Sequence, residues 1–433
     1  MQQWPGSLRL PAGYGHRAGM HRWKGDRMRR RTLSLLVASL ALAGCSNTLS
    51  GVSGPLRLSG SAGQGSGKLD HLAILLPLSG PDAARGQAML KAAQLALDVP
   101  GSPRLEPIDT HGTPNGAAQA AQAAVAGGAY MILGPFSAAE TGAAAGPARQ
   151  AGIPVLAFTS SPAQAQPGIW VMGLTPDQQV ERLVQAARAQ GKTHIAALLP
   201  NTELGSAMGR ALVQFAPDAT VRHYSGGMEA MNATVRDLSG YASRRGPLEQ
   251  KIREAKKNGD RKLAAELSRN SVPPPPFDAL LLADVGTRLA EIGSLLPYYD
   301  INTPTVRIMG PALWSSERAR AGSGDTLNGA WYAAPDQATR TDYVQRYQTK
   351  YGSAPLALQD LAYDAASIAR VIASEGSVSA DSLTRPAGFA GVDGVLVLHP
   401  DGKVSRGLAL YEIESGSPKM IEPAPQTLNS TGS

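Results

Sequence analysis

One cysteine, Cys45, stands in 433 residues. A lone cysteine cannot close an internal disulfide, and its scarcity removes cysteine zinc clusters and cysteine nucleophiles from consideration. Aromatic residues make up only 5% of the chain, and the seven histidines are scattered. There is no Gly-x-Ser-x-Gly elbow and no His-Glu-x-x-His pair, so nothing points to a hydrolase or a metalloprotease, and no cofactor is called for. Two phosphate-loop lookalikes fail on spacing. Gly63–Lys68 has Ala62 where the first glycine belongs and no strand before it, and Gly191-Lys192-Thr193 has Ala186 there.

Long apolar runs are also missing. Thr32–Ala43 is uncharged and apolar but far shorter than the roughly 20 residues that span a bilayer. It follows the positive run Arg27, Arg29, Arg30 and Arg31 and ends in Leu42-Ala43-Gly44-Cys45. That layout predicts a signal peptide over residues 1–44, with Met20 or Met28 as alternative starts, and a lipoprotein cleavage box that leaves Cys45 as a lipidated N-terminus anchored to a membrane. The plainer alternative for Cys45 is a small buried hydrophobe. The first 45 residues hold eight positive side chains against Asp26, which is the whole of the chain's formal charge of +7. The remainder is neutral, so the basic balance is no argument for a nucleic-acid partner.

Residues 45–69 are rich in Ser and Gly and read as a flexible tether. From His71 the chain alternates. Continuous apolar runs such as Leu72–Leu76 have the composition of strands buried on both faces, and Ala83–Asp98 has helical spacing. Arg104–Asp109, Tyr130–Leu133 and Pro154–Phe158 continue as strands, and Gly116–Ala126 and Glu140–Ala151 as helices. The rhythm repeats from Asp177, with strands at His194–Leu199, Val221–Tyr224, Phe277–Ala283 and Val306–Met309. The predicted class is α/β, two doubly wound parallel-sheet lobes around a central cleft. Val395–His399 and Leu408–Glu414 read as a closing strand pair around Pro400-Asp401-Gly402.

Ser243–Arg269 breaks the rhythm. Nine positive and four negative side chains lie on a helical pattern, with Leu248, Ile252 and Ala255 on one face. It reads as a helical arm inserted between two strands of the second lobe. It is either a solvated helix pair or a docking surface for an acidic partner or anionic lipid.

Pro77-Leu78-Ser79-Gly80-Pro81, Gly134-Pro135-Phe136-Ser137, Ala151-Gly152-Ile153-Pro154-Val155, Tyr363-Asp364-Ala365 and Gly391-Val392-Asp393-Gly394, in that order, resemble the leucine-binding branch of type I periplasmic binding proteins. Within it, a lipoprotein with a charged helical insert before Pro273–Phe277 is similar to the penicillin-binding protein activators. The resemblance implies three passages between lobes. Lobe one would hold 70–174 and 335–393, and lobe two 175–334 with the arm at 243–272. Closing strands would follow at 394–418, with the second lobe, and then a disordered tail at 419–433.

The resemblance also implies a site at the carboxyl ends of the strands. Ser137 either caps a helix or faces the cleft. Thr159, Ser160 and Ser161 follow a buried strand and would hold a ligand carboxylate. Asp284 either meets a ligand ammonium or caps the next helix. Arg85 either favours an anion or lies on the surface. Leu204 and Arg85 stand where transport relatives carry aromatics, which speaks against free leucine-like ligands. Two functions are therefore expected, neither enzymatic. The first is regulation of a peptidoglycan synthase (a penicillin-binding protein) from the outer membrane, because Ser46 rather than Asp follows Cys45. The second is capture of a small amino-acid-like ligand for an ABC permease.

Overall fold

A computed structural model describes residues 69–270 and 272–428. The expected signal peptide, the lipidation site at Cys45 and nearly all of the tether lie outside the described residues.

The first lobe opens with β1 (His71–Leu76), α1 (Ala83–Ala96), β2 (Arg104–Asp109), α2 (Pro114–Ala126), β3 (Met131–Leu133), α3 (Ala138–Gln150), β4 (Val155–Ala157) and β5 (Ile169–Val171). The strands form one parallel sheet in the order β2-β1-β3-β4-β5. The continuous apolar run of β1 is explained by its two faces. Leu72, Ile74 and Leu76 enter one core beneath α1, while Ala73 and Leu75 enter another beneath α2 and α3.

The second lobe follows with α4 (Pro176–Ala189), β6 (Ile195–Pro200), α5 (Glu203–Phe215), β7 (Thr220–Tyr224), α6 (Met228–Leu238), α7 (Tyr241–Lys257), α8 (Arg261–Leu267), β8 (Ala279–Leu282), α9 (Gly286–Leu295), β9 (Arg307–Gly310), α10 (Glu317–Arg320) and β10 (Trp331–Ala334). Ala196 and Leu198 of β6 face one core, and Ile195, Ala197 and Leu199 the other, as in β1. A matching contact sets the first helix against its strand in both lobes. A Cβ on Gly86 would stand 2.1 Å from the Pro77 carbonyl oxygen, and one on Gly205 would stand 2.1 Å from that of Pro200. Only glycine permits so close an approach.

The chain then returns to lobe one with α11 (Thr341–Tyr351), α12 (Ala357–Glu375), α13 (Ala380–Leu383), β11 (Phe389–Gly391), β12 (Gly394–Leu398) and β13 (Val404–Arg406). It ends in lobe two with β14 (Ala409–Glu414) and β15 (Ser417–Glu422). The seven-stranded sheet runs β15-β14-β10-β9-β8-β6-β7.

The expected closing pair does not form. The turn at Pro400–Gly402 joins β12 to β13, which are antiparallel, whereas β14 pairs with β10 in the other lobe. Residues 394–406 therefore belong to lobe one. Trp170 Nε1 donates to the His399 carbonyl at 2.7 Å, and the Val171 N–H donates to that of Gly402 at 3.1 Å. β13 is too short and polar to read as a strand by itself. Residues 417–422 also form a strand inside the stretch expected to include a tail. All six are exposed, so backbone pairing with β14 holds them, which leaves no apolar signature.

The charged insertion between β7 and β8 is helical, as α7 and α8. Its root is fixed by Arg244, whose side chain is only 8% exposed. Nε donates to the Ser239 carbonyl (2.7 Å), Nη1 to that of Pro273 (2.7 Å) and to Asp300 Oδ2 (3.2 Å), and Nη2 to the Tyr299 carbonyl (2.8 Å). Arg244 is thus an anchor rather than part of the arm's free charge. Tyr241 packs against Tyr298 and Tyr299 beside it. Lys251, Lys256, Lys257, Arg261, Lys262 and Arg269 remain exposed along the arm.

Candidate functional site

Ligands of doubly wound sheets bind beyond the carboxyl ends of the strands. After β3, Gly134 adopts a φ of +82°, and a Cβ there would stand 2.3 Å from the Leu75 carbonyl oxygen. Three residues on, Ser137 caps α3. Its Oγ accepts from the Glu140 N–H (3.3 Å) and donates to Glu140 Oε2 (2.6 Å), which in turn accepts from the Ser137 N–H (3.0 Å). Thr110 Oγ1 donates to the other Glu140 oxygen at 2.5 Å. Of the two roles open to Ser137, the geometry shows the cap.

Thr159 follows β4 and is buried. Its Oγ1 accepts from the Ser161 N–H at 3.1 Å, and its carbonyl accepts from the Gly173 N–H at 3.0 Å. Ser160 is exposed, and Ser161 precedes a short 3₁₀ turn at Pro162–Gln164. Arg85 lies on the surface of α1, with Nη1 3.0 Å from Asp82 Oδ1. The structure thus brings Ser137 and the Thr159–Ser161 segment to adjacent strand ends, while Arg85 is committed elsewhere.

Asp284 lies two residues beyond β8 in the second lobe and is 4% exposed. Tyr224 OH donates to its Oδ1 at 2.6 Å, and Trp314 Nε1 donates to its carbonyl at 2.9 Å. It caps nothing, because Val285 precedes α9 and makes no side-chain cap. Burial raises the Asp284 carboxyl above the ordinary range, opposed by the Tyr224 hydroxyl and Arg288. Its Oδ2 is buried with no partner among the described residues.

A Ser, His and Asp also meet after β1 and β2, which the sequence did not signal. Ser79 Oγ lies 2.7 Å and Asp109 Oδ2 3.0 Å from the same His111 nitrogen, Nδ1. A catalytic triad needs the two ring nitrogens engaged separately, so this cluster is no proton relay. Burial would raise the Asp109 carboxyl, but the Ser79 hydroxyl and the N–H groups of His111 and Leu78 outweigh it and hold it below its usual range.

The most concentrated charge lies where the chain passes between lobes, and sequence reasoning missed it. Arg340 precedes α11, Arg406 ends β13, Asp360 and Asp364 lie on α12, and Asp393 sits between β11 and β12. All but Arg340 are buried, and the Arg340 side chain is 11% exposed. Arg340 Nη2 donates to Asp360 Oδ1 at 2.9 Å, and Nε sits 2.6 Å from Oδ2 without the alignment of a hydrogen bond. Arg406 Nη1 lies 3.6 Å from Asp364 and 3.5 Å from Asp393, while Nη2 donates to the Met172 carbonyl at 3.1 Å. The Val392 N–H donates to Asp364 Oδ1 at 2.7 Å.

Three carboxylates face two guanidiniums, so a proton held within the trio neutralises the cluster. Burial, with the neighbouring carboxylates adding to it and the arginines opposing, pushes Asp360 up to about 8 and Asp364 up to about 7, and also raises Asp393. The available sequence signal was Asp360 and Asp364, four apart on the buried face of an otherwise apolar helix.

Residues 71–418 match the family model described as periplasmic binding protein. The chain belongs to the periplasmic binding protein family. No curated protein sequence matches it. Among solved structures it is similar to a Rhodospirillum rubrum protein described as a branched-chain amino acid ABC transporter. That match has 20% identity and a TM-score of 0.62, covering 81% of this chain and 99% of the other. It is also similar to the C-domain of LpoA from Haemophilus influenzae, described as a regulator of PBP1A, with 19% identity and a TM-score of 0.57 over 81% of this chain and 99% of that one. Against full-length LpoA the match covers 82% of this chain and 59% of the other. At these identities the likeness speaks for the fold.

Proposed function

We propose that this chain is a non-catalytic, extracytoplasmic lipoprotein that regulates a peptidoglycan synthase in the manner of a penicillin-binding protein activator. It would be anchored through Cys45 at the periplasmic face of the outer membrane. The observation that carries this reading is the arm. Its root is fixed by Arg244, Ala255 and Ala264 are buried between α7 and α8, Leu248, Ile252 and Leu267 are half-buried while Leu263 is exposed, and most of its exposed charge is basic. A firmly held surface whose exposed charge is mainly basic suits contact with an acidic protein. Two further features agree. The Ser137 hydroxyl is used by a helix cap, and Arg85 is paired with Asp82. The LpoA likeness supplies the kind of partner.

Crosslinking in cells tests it. The intact chain should capture a peptidoglycan synthase, and reversing the charge of Lys256, Lys257, Arg261 and Lys262 together should reduce capture at least tenfold. Undiminished capture by the reversed arm counts against its role.

A second reading, solute capture for an amino-acid ABC permease, is favoured by one observation: the buried, unpartnered Oδ2 of Asp284, a natural partner for a ligand ammonium. Calorimetry across the amino acids separates the two. Saturable binding lost in Asp284→Asn supports capture, and silence across the series removes it.

A further inference from the structure

Away from the strand ends, a cavity of about 370 Å³ opens in lobe one between α11 and α12 and is walled by β11. Tyr343, Arg346, Arg370, Asp342 and Ser367 line it. The size falls at the lower end of small-molecule sites, which run from about 300 to 1,000 Å³.

Its polar groups are unbalanced in one direction. Tyr343 is 3% exposed, yet its hydroxyl has no partner among the described residues. Burial, with Asp360, Tyr347 and Asp364 adding to it, raises the pKa of that hydroxyl, which sits beside the inter-lobe cluster and stays protonated. Arg370 Nε is likewise buried without an acceptor. Arg346 also borders the space, held in place by donation from Nη1 to Tyr363 OH at 2.9 Å. A guanidinium can only donate, and buried donors left unmatched are rare in folded proteins. Two guanidiniums against the single carboxylate of Asp342 leave the lining net positive. What the cavity lacks is an acceptor with negative charge.

We propose that this cavity binds a small carboxylate- or phosphate-bearing anion, held by the guanidiniums of Arg370 and Arg346. The site is separate from the strand ends and independent of the regulatory reading above. One wall is the Gly391–Val392 segment, and the Val392 N–H holds Asp364 of the inter-lobe cluster. An occupant therefore bears on the segment that braces the lobes.

Calorimetry on the intact chain with inorganic phosphate, glutarate and glutamate tests it. At least one should bind saturably, and phosphate alone or the dicarboxylates alone would name the source of the anion. Arg370→Gln and Arg346→Gln should each weaken binding about tenfold, whereas Asp342→Asn should tighten it. No saturable binding of any probe up to about 10 mM overturns the proposal. So does unchanged affinity in both weakening variants. If Arg370→Gln fails to fold, Arg346→Gln with wild-type circular dichroism decides.

Discussion

Arg406 Nη2 donates a hydrogen bond to the carbonyl of Met172, 3.1 Å away and 234 positions earlier in the chain. Met172 begins the first passage between lobes and Arg406 the last, while Arg340, in the same cluster, stands on the second. The three connections are thus tied at one buried point, with one more carboxylate than guanidinium.

This excess makes stability depend on pH in a defined direction. Asp364 and Asp360 have folded-state values of about 7 and about 8, against 3.8 for an ordinary Asp. Between those limits the folded state binds more protons than the unfolded one. Stability from this source is complete below about pH 4 and is lost as pH rises through 7 to 8. Denaturant midpoints measured from pH 5 to 8 should fall across that range. Asp364→Asn keeps an acceptor for the Val392 N–H and should flatten the slope, and a slope as steep as wild type would refute the assignment.

Removing the guanidinium is a different perturbation. Arg406→Met leaves Asp364 and Asp393 buried without their shared cation, and breaking a buried ion pair from one side costs about 3–5 kcal/mol. Urea denaturation near pH 7 measures this. The loss should shrink at pH 5, where more of the trio is protonated.

The two helix–strand glycines predict paired losses. Gly86→Ala and Gly205→Ala each drive a Cβ to 2.1 Å from a backbone oxygen, and overpacking of this kind costs about 1–3 kcal/mol. Gly146→Ala on α3 meets nothing within 4 Å and should instead stabilise by up to about 1 kcal/mol through helix propensity. Thermal denaturation of the three variants provides the contrast.

The arm separates anchor from surface. Arg244→Ala removes four hydrogen bonds at the root and should destabilise by roughly 2–3 kcal/mol, with faster protease cleavage near Asn258. Arg253, 68% exposed and 3.8 Å from Glu249, should change stability by less than about 0.5 kcal/mol when truncated. Equal proteolysis of both variants would contradict the anchoring role.

Much of the fold was legible because its cause is local. Leu72–Leu76 and Ala279–Leu282 read as buried strands because a parallel sheet covered on both faces demands apolar residues at every position. The arm stood out because charge at helical spacing departs from that pattern. β15 was not legible, since its six exposed residues are held by backbone pairing with β14 and by the ion pairs Lys419–Glu414 and Glu422–Arg182, with no apolar face. At the candidate site, sequence placed Ser137, Thr159 and Asp284 at strand ends, but not which hydroxyls the backbone had taken.

The sequence by itself determined the alternation of strands and helices, the two-lobe class, the basic insertion and the positions of Ser137, Thr159 and Asp284 beyond their strands, because apolar periodicity and charge spacing act over a few residues. Tertiary structure alone decided that β12 and β14 join different lobes, that Arg244 is a buried anchor, and that Arg340, Asp360, Asp364, Asp393 and Arg406 converge. Those outcomes depend on desolvation and pairing between residues far apart in the chain, and a buried charge reads like a surface charge until the fold brings its partner to it.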